Sequence, residues 1–105
     1  MKQKIKKSSI DDYQKIIEKI LKIRKERKSL YGDSYNEMES LGHYFHAFNK
    51  FKRLRHQLDL ELNHINLANN YEKVDDNVID IINYLIFFLI MREKEAKSKK
   101  HLNIS

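Results

Sequence analysis

The chain has no cysteine and no proline, and only two glycines among its 105 residues. Without Cys, neither a disulfide framework nor a thiolate zinc site can form, and an intracellular location fits. With no Pro, and with Gly32 and Gly42 as the only glycines, the three blocks of apolar residues read as all-helical. A membrane-length run is also missing. The most hydrophobic stretch is too short and too interrupted for a bilayer, which asks for about 20 apolar residues. The basic start, Met1-Lys2-Gln3-Lys4-Ile5-Lys6-Lys7, leads into no hydrophobic signal region, which argues against secretion. Low-complexity segments and internal repeats are absent.

The formal charge is +6, and clustered Lys and Arg can neutralise phosphates and release counterions. Much of it sits at the two ends, in Lys2–Lys7 and Lys94–His101, where charge runs are usually solvated tails. Richness in Lys, Ile and Asn together also follows from an AT-rich coding sequence. Nucleic-acid binding therefore ranks third among the readings below.

What is present centres on Asp75–Met91. From Val78 onward nearly every position is apolar, so a helix built from it is greasy all round and expects cover on all sides. Asp80 and Asn83 interrupt it three residues apart, and Asp76 lies four before Asp80, so the three project from one face. A carboxylate and an amide in such a helix are costly unless something binds them. An ordinary Lys or Arg partner for Asp80 is the structural alternative.

Upstream, Ser9 is placed to cap a first helix with Asp12 completing a capping box. Tyr13, Ile16, Ile17, Ile20 and Leu21 then follow a helical stripe, predicting a helix over about Ile10–Ser29. Gly32, in Leu30-Tyr31-Gly32-Asp33-Ser34, suits a helix stop, and Ser34-x-x-Glu37 is a second capping-box spacing that opens a short helix. A long helix is predicted from about Leu41 to Asn66. Leu41, Tyr44, Phe48, Phe51, Leu58, Leu62 and Ile65 recur there at alternating three and four spacing, as a core or partner-facing stripe. His46, Asn49, Lys50 and Arg53 share another part of its surface, with Lys50 and Arg53 spaced as a phosphate clamp or as a plain solvated basic face. His43 and His46 make a weak metal pair without a third ligand. Leu67–Lys73 is a polar connection, and Asp75 or Asp76 is placed to cap the last helix. The expected fold is an all-α antiparallel bundle of three main helices plus a short helix after the Tyr-Gly-Asp-Ser loop. At 105 residues one domain is the limit and oligomerisation would help it. Residues 1–8 are expected to be a basic disordered segment, 9–93 the helical domain and 94–105 a basic tail.

In order, Leu30-Tyr31-Gly32-Asp33-Ser34, Asn49-Lys50-x-x-Arg53-Leu54 and Asp76-x-x-x-Asp80-x-x-Asn83-Tyr84 resemble the nucleotide modification associated domain 1 family. These are small, often phage-encoded relatives of the all-α NTP pyrophosphatases, the superfamily of MazG and the dimeric dUTPases. The resemblance spans about Ile16–Met91. It implies a nucleotide ligand and Mg²⁺, with Asp76 and Asp80 as metal-side ligands and Asn83, followed by Tyr84, orienting a ligand or water. By the same resemblance Lys50 and Arg53, beside Asn49, would contact phosphates, and Tyr31, Asp33 and Ser34 would shape the pocket edge. It further implies NTP pyrophosphohydrolysis, a homo-oligomer, and a cytoplasmic setting, that of the host if the source is viral. Two departures stand out: Asn49 replaces the family's Asp, and the facing helix lacks a Glu-x-x-Glu cluster between His43 and Leu58. An amide brings no charge to a magnesium site, so binding without turnover is one outcome, and no catalytic residue is assigned. The rival from a different class is a non-enzymatic oligomerisation or protein-interaction module. An Asp80 closed off by a Lys or Arg, with no cavity beside it, would remove the ground for the nucleotide reading.

Overall fold

The computed structural model describes residues 9–65 and 70–102, the side chains of 70–72 and 100–102 excepted. Helices α1 (Ile10–Tyr31), α2 (Ser40–Leu62) and α3 (Asn70–Leu102) follow one another, with a short 3₁₀ turn, Ser34–Glu37, between the first two. Among the described residues there is no strand. The all-helical expectation holds. The chain divides into two compact units, one ending at Gly32 and the other beginning at Asp33.

The first unit is α1. Ser9 caps it as the spacing predicts: its Oγ accepts from the Asp12 N–H at 3.3 Å, and the Asp12 carboxylate accepts from the Ser9 N–H at 3.2 Å. The helix stops at Gly32, whose φ of +65° is costly for a residue with a Cβ and whose N–H donates to the Lys28 carbonyl at 2.8 Å. Ile20 is buried, whereas Tyr13, Ile16, Ile17 and Leu21 of the same stripe stay exposed.

The second unit is an α2–α3 hairpin. Residues climbing α2 meet residues descending α3, as Ser40 with Glu95, Lys50 with Asp80 and Gln57 with Asn77 show. The two helices are therefore antiparallel. Side-chain contacts hold the 3₁₀ turn onto the hairpin. Tyr35 stacks on Phe87 at 4.7 Å between ring centroids, the Tyr35 carbonyl accepts from His43 Nε2 at 3.0 Å, and Lys94 Nζ donates to the Asn36 side-chain oxygen.

Three local expectations are corrected. Ser34 does not cap a helix with Glu37; Asp33 stands at the N-cap and no side-chain cap bond forms, because three-residue spacing needs a following α-turn and the chain closes a 3₁₀ turn instead. Asp75 and Asp76 do not cap the last helix, which begins at Asn70. Nor does the polar connection expected over Leu67–Lys73 reach that far: α3 begins at Asn70 and runs on to Leu102. Residues rich in Lys, Glu and Ala are good helix formers, and a charge run alone does not end a helix. The expected disordered segment 1–8 and residues 67–69 of that connection lie outside the described residues.

α2 starts without its own side-chain cap at Glu39. The cap comes from α3: the Glu95 carboxylate accepts from the Ser40 N–H at 3.0 Å and from Ser40 Oγ at 2.5 Å. A negative charge at the first turn of α2 satisfies an orphan donor and meets the positive end of the helix dipole. Those two hydrogen bonds, the side-chain one first, hold the Glu95 carboxyl below its ordinary pKa.

Candidate functional site

Two stripes on α2 decide what the hairpin can do. Ser40, His43, Ala47, Lys50, Leu54, Gln57 and Glu61 recur at alternating three and four spacing. Ser40, His43 and Ala47 of this set are buried, and Lys50, Leu54, Gln57 and Glu61 are part-buried. This is the seam against α3, and apart from Leu54 it is polar or small rather than greasy. The apolar stripe Leu41, Tyr44, Phe48, Phe51, Leu58 and Leu62 has the same spacing shifted by one residue, which rotates it about 100° around the helix. It remains 40–76% exposed. Of the two roles open to that stripe, core or partner-facing, the α2–α3 hairpin by itself leaves it unburied.

The seam is stitched by polar pairs. Lys50 Nζ lies 3.1 Å from an Asp80 carboxylate oxygen, with side-chain exposures of 25% and 20%. Asn77 Nδ2 donates to Gln57 Oε1 at 2.6 Å. Asn83, 6% exposed, faces inward one turn beyond Asp80, and its Nδ2 finds no acceptor among the described residues. His43 is 2% exposed. Because its Nε2 meets a carbonyl, Nε2 must carry a proton and donate, and Nδ1 has no partner among the described residues.

Of the residues singled out from sequence, Lys50 and Asp80 meet across the α2–α3 seam, and Asn83 is buried. Arg53, Asn49 and Asp76 are exposed. Lys50 and Arg53 therefore part company, the first reaching Asp80 and the second solvent. Asp76 and Asp80 share a spacing but not an environment. Tyr84 is part-buried and stacks on His46 at 5.1 Å, with the His43 ring 6.3 Å away. Tyr31, Asp33 and Ser34 are exposed, and the unit boundary falls between Gly32 and Asp33.

Asp76 and Asp80 were tested as a magnesium pair against the groups around them. Mg²⁺ asks for oxygen donors in near-octahedral array, commonly one or two carboxylates completed by water and phosphate. Here Asp80 already faces the Lys50 ammonium, which stands where a cation would be. Among the described residues no three His, Cys, Asp or Glu side chains converge.

Sequence reading missed the seam residues Ser40 and Gln57 and the tertiary cap Glu95, and it named His43 only as half of a weak metal pair. The seam's three-and-four spacing is present in the sequence, but it is written in Ser, Ala, Lys and Gln, and a search for apolar periodicity passes over it. Compared with protein-family models, with curated proteins and with solved structures, the chain matches none of them.

Proposed function

We propose that the chain is a helical protein-interaction module, whose working surface is the aromatic and aliphatic stripe of α2. The observation that carries this is the inversion of the hairpin: polar and small side chains face α3, while Tyr44, Phe45, Phe48 and Phe51 stand about half exposed. The last helix repeats the pattern, with Leu85, Ile86 and Leu89 at 40–62% exposure. A hydrophobic patch of that extent on a small chain marks an association surface. Local contacts do not account for it. The Lys52 ammonium 4.8 Å above the Phe48 ring contributes about 0.5–1 kcal/mol at an exposed site, less than the roughly 1.5–3 kcal/mol from burying one such ring fully. A photo-reactive phenylalanine analogue at position 48 tests the module. Cross-links to protein support it; cross-links confined to lipid or nucleic acid, or none at all, refute it.

A second reading, nucleotide binding without turnover, draws on separate observations: Lys50 pairs with Asp80, and the buried Asn83 amide, one turn on, lacks an acceptor among the described residues. A phosphate meeting Lys50 would free Asp80, and a nucleotide oxygen would give Nδ2 its acceptor. The Lys50–Asp80 pair counts against it, since it is the ordinary partner that a purely structural Asp80 needs. Thermal-shift measurements with a nucleotide panel, with and without Mg²⁺, decide the matter. No shift at saturating ligand removes this reading.

A further inference from the structure

Resting on the interaction-module reading and going beyond it, we infer that the α2 stripe is occupied by a second copy of this chain, the two α2 helices packing face to face as a two-fold pair. The spacing is that of a helix-pairing seam. Leu41, Tyr44, Phe48, Phe51, Leu58 and Leu62 hold alternating three and four steps across Ser40–Leu62, nearly the whole helix. A stripe that keeps this period stays in register with an identical stripe along its length. A two-fold axis needs only such a self-complementary patch.

The one charged residue in the series supplies its own complement. Arg55 falls at the position between Phe51 and Leu58, and its Nε lies 3.7 Å from the Asp59 carboxylate one turn on. Each copy thus brings an acid and a base to the middle of the seam, and each base meets an acid without help from a partner of different composition.

The area agrees. Aromatic side chains bury about 150–250 Å² each. At the exposures seen, the stripe with Phe45 offers on the order of 600–700 Å² per chain, close to the roughly 800 Å² per partner of a stable interface.

Charge separates this partner from an acidic one. Two chains of +6 each repel, and salt screens that repulsion, so self-association tightens as salt is raised. Binding of a nucleic acid, an anionic membrane or an acidic protein through Lys52 and Arg55 weakens with salt instead.

The test uses the full chain in light scattering over a range of concentration and salt, with the photo-reactive residue at position 48 in parallel. The expected results are a dimer whose fraction rises with concentration and with salt, and a cross-linked product of twice the chain mass. Phe48→Glu and Phe51→Glu each weaken association by about 30-fold or more, as central interface rings do, with helix content by circular dichroism unchanged. Glu93→Asp, exposed on α3 and unchanged in charge, leaves association intact. A monomer at all concentrations, or a cross-link to another protein only, overturns the inference, and the latter leaves the interaction module standing. A cross-link from position 48 to α1 of the same chain, at single-chain mass, overturns both. Because cross-linking is done without the Glu substitutions, a variant that fails to fold does not rescue the idea.

Discussion

Lys50 on α2 and Asp80 on α3 form an ion pair at 3.1 Å in the seam of the hairpin, each side chain retaining about a fifth to a quarter of its exposure. Such a pair does not by itself tell structure from function. The desolvation of two charges offsets much of their attraction, and an apolar pair of similar volume is often as stable. Removing one partner alone is different, because it strands the other charge.

Asp80→Asn and Lys50→Met are accordingly each expected to destabilise the hairpin by about 1–2 kcal/mol, less than the roughly 3–5 kcal/mol for a fully buried pair, since water still reaches both groups. The combined Lys50→Met/Asp80→Leu chain recovers stability to within about 1 kcal/mol of wild type. Urea unfolding measures all three. If the double variant is as stable as wild type and nucleotide-dependent shifts seen in wild type vanish, the pair serves a ligand; if there were no shifts to lose, it is a register device.

Asn83 supplies a sharper division, because its amide nitrogen is buried without an acceptor among the described residues. An unmet buried donor costs about 1–3 kcal/mol. Asn83→Leu, similar in volume, is therefore expected to raise the unfolding free energy by about 1 kcal/mol. A loss of that size instead means the amide side chain makes compensating bonds through its oxygen. Denaturation of the isolated chain reads the sign directly.

The sequence showed helices better than it showed faces. Ser9 with Asp12, Gly32 and the long apolar stripe place α1 and most of α2, because caps, stops and periodicity are local. Asp80 and Asn83 were legible as anomalies for the same reason: their neighbours Ile79, Ile81 and Ile82 make a polar residue conspicuous. What could not be read was which stripe of α2 meets α3. Two stripes of equal spacing lie one residue apart, and hydrophobicity favours the one containing Phe48 and Phe51 over the one containing Ala47 and Lys50. The choice depends on partners elsewhere: Lys50 has Asp80, Gln57 has Asn77, and Ser40 has Glu95. Such pairs span 20 to 55 residues of sequence and carry no local signature. Glu95 in particular sits in a run of charges that looks like tail.

That same Glu95 gives the hairpin a predicted acid sensitivity. Hydrogen bonds from Ser40 Oγ and then from the Ser40 N–H hold its carboxyl below the ordinary 4.5. A carboxyl depressed on folding adds stability above its unfolded pKa, and that stability is lost as pH falls through the lower, folded value. Glu95→Gln is expected to melt earlier than wild type at neutral pH, since the amide keeps only one acceptor oxygen and brings no charge to the start of α2. The gap should close as pH drops below the folded pKa of Glu95. Thermal melts of both chains from neutral to acid pH measure it, and a gap independent of pH would assign the loss to packing.

Gly42 lies in the first turn of α2, where replacing Gly by Ala ordinarily stabilises a helix by about 1 kcal/mol. Here the gain is opposed. A Cβ on Gly42 would stand 2.4 Å from Met38 Cγ and 2.7 Å from its Sδ, closer than atoms approach without movement. Met38 is part-buried, and its Cγ is near the backbone, so rotating the thioether end alone does not clear the contact. Overpacking of this kind costs about 1–3 kcal/mol, enough to cancel the propensity gain and exceed it. Gly42→Ala is therefore expected to destabilise by up to about 2 kcal/mol, and Gly42→Ala/Met38→Ala to be more stable than the sum of the two single changes. Chemical denaturation of the four chains closes the double-mutant cycle, and additivity would mean that Met38 swings aside without cost and that the close approach of the two residues does not restrict the turn into α2.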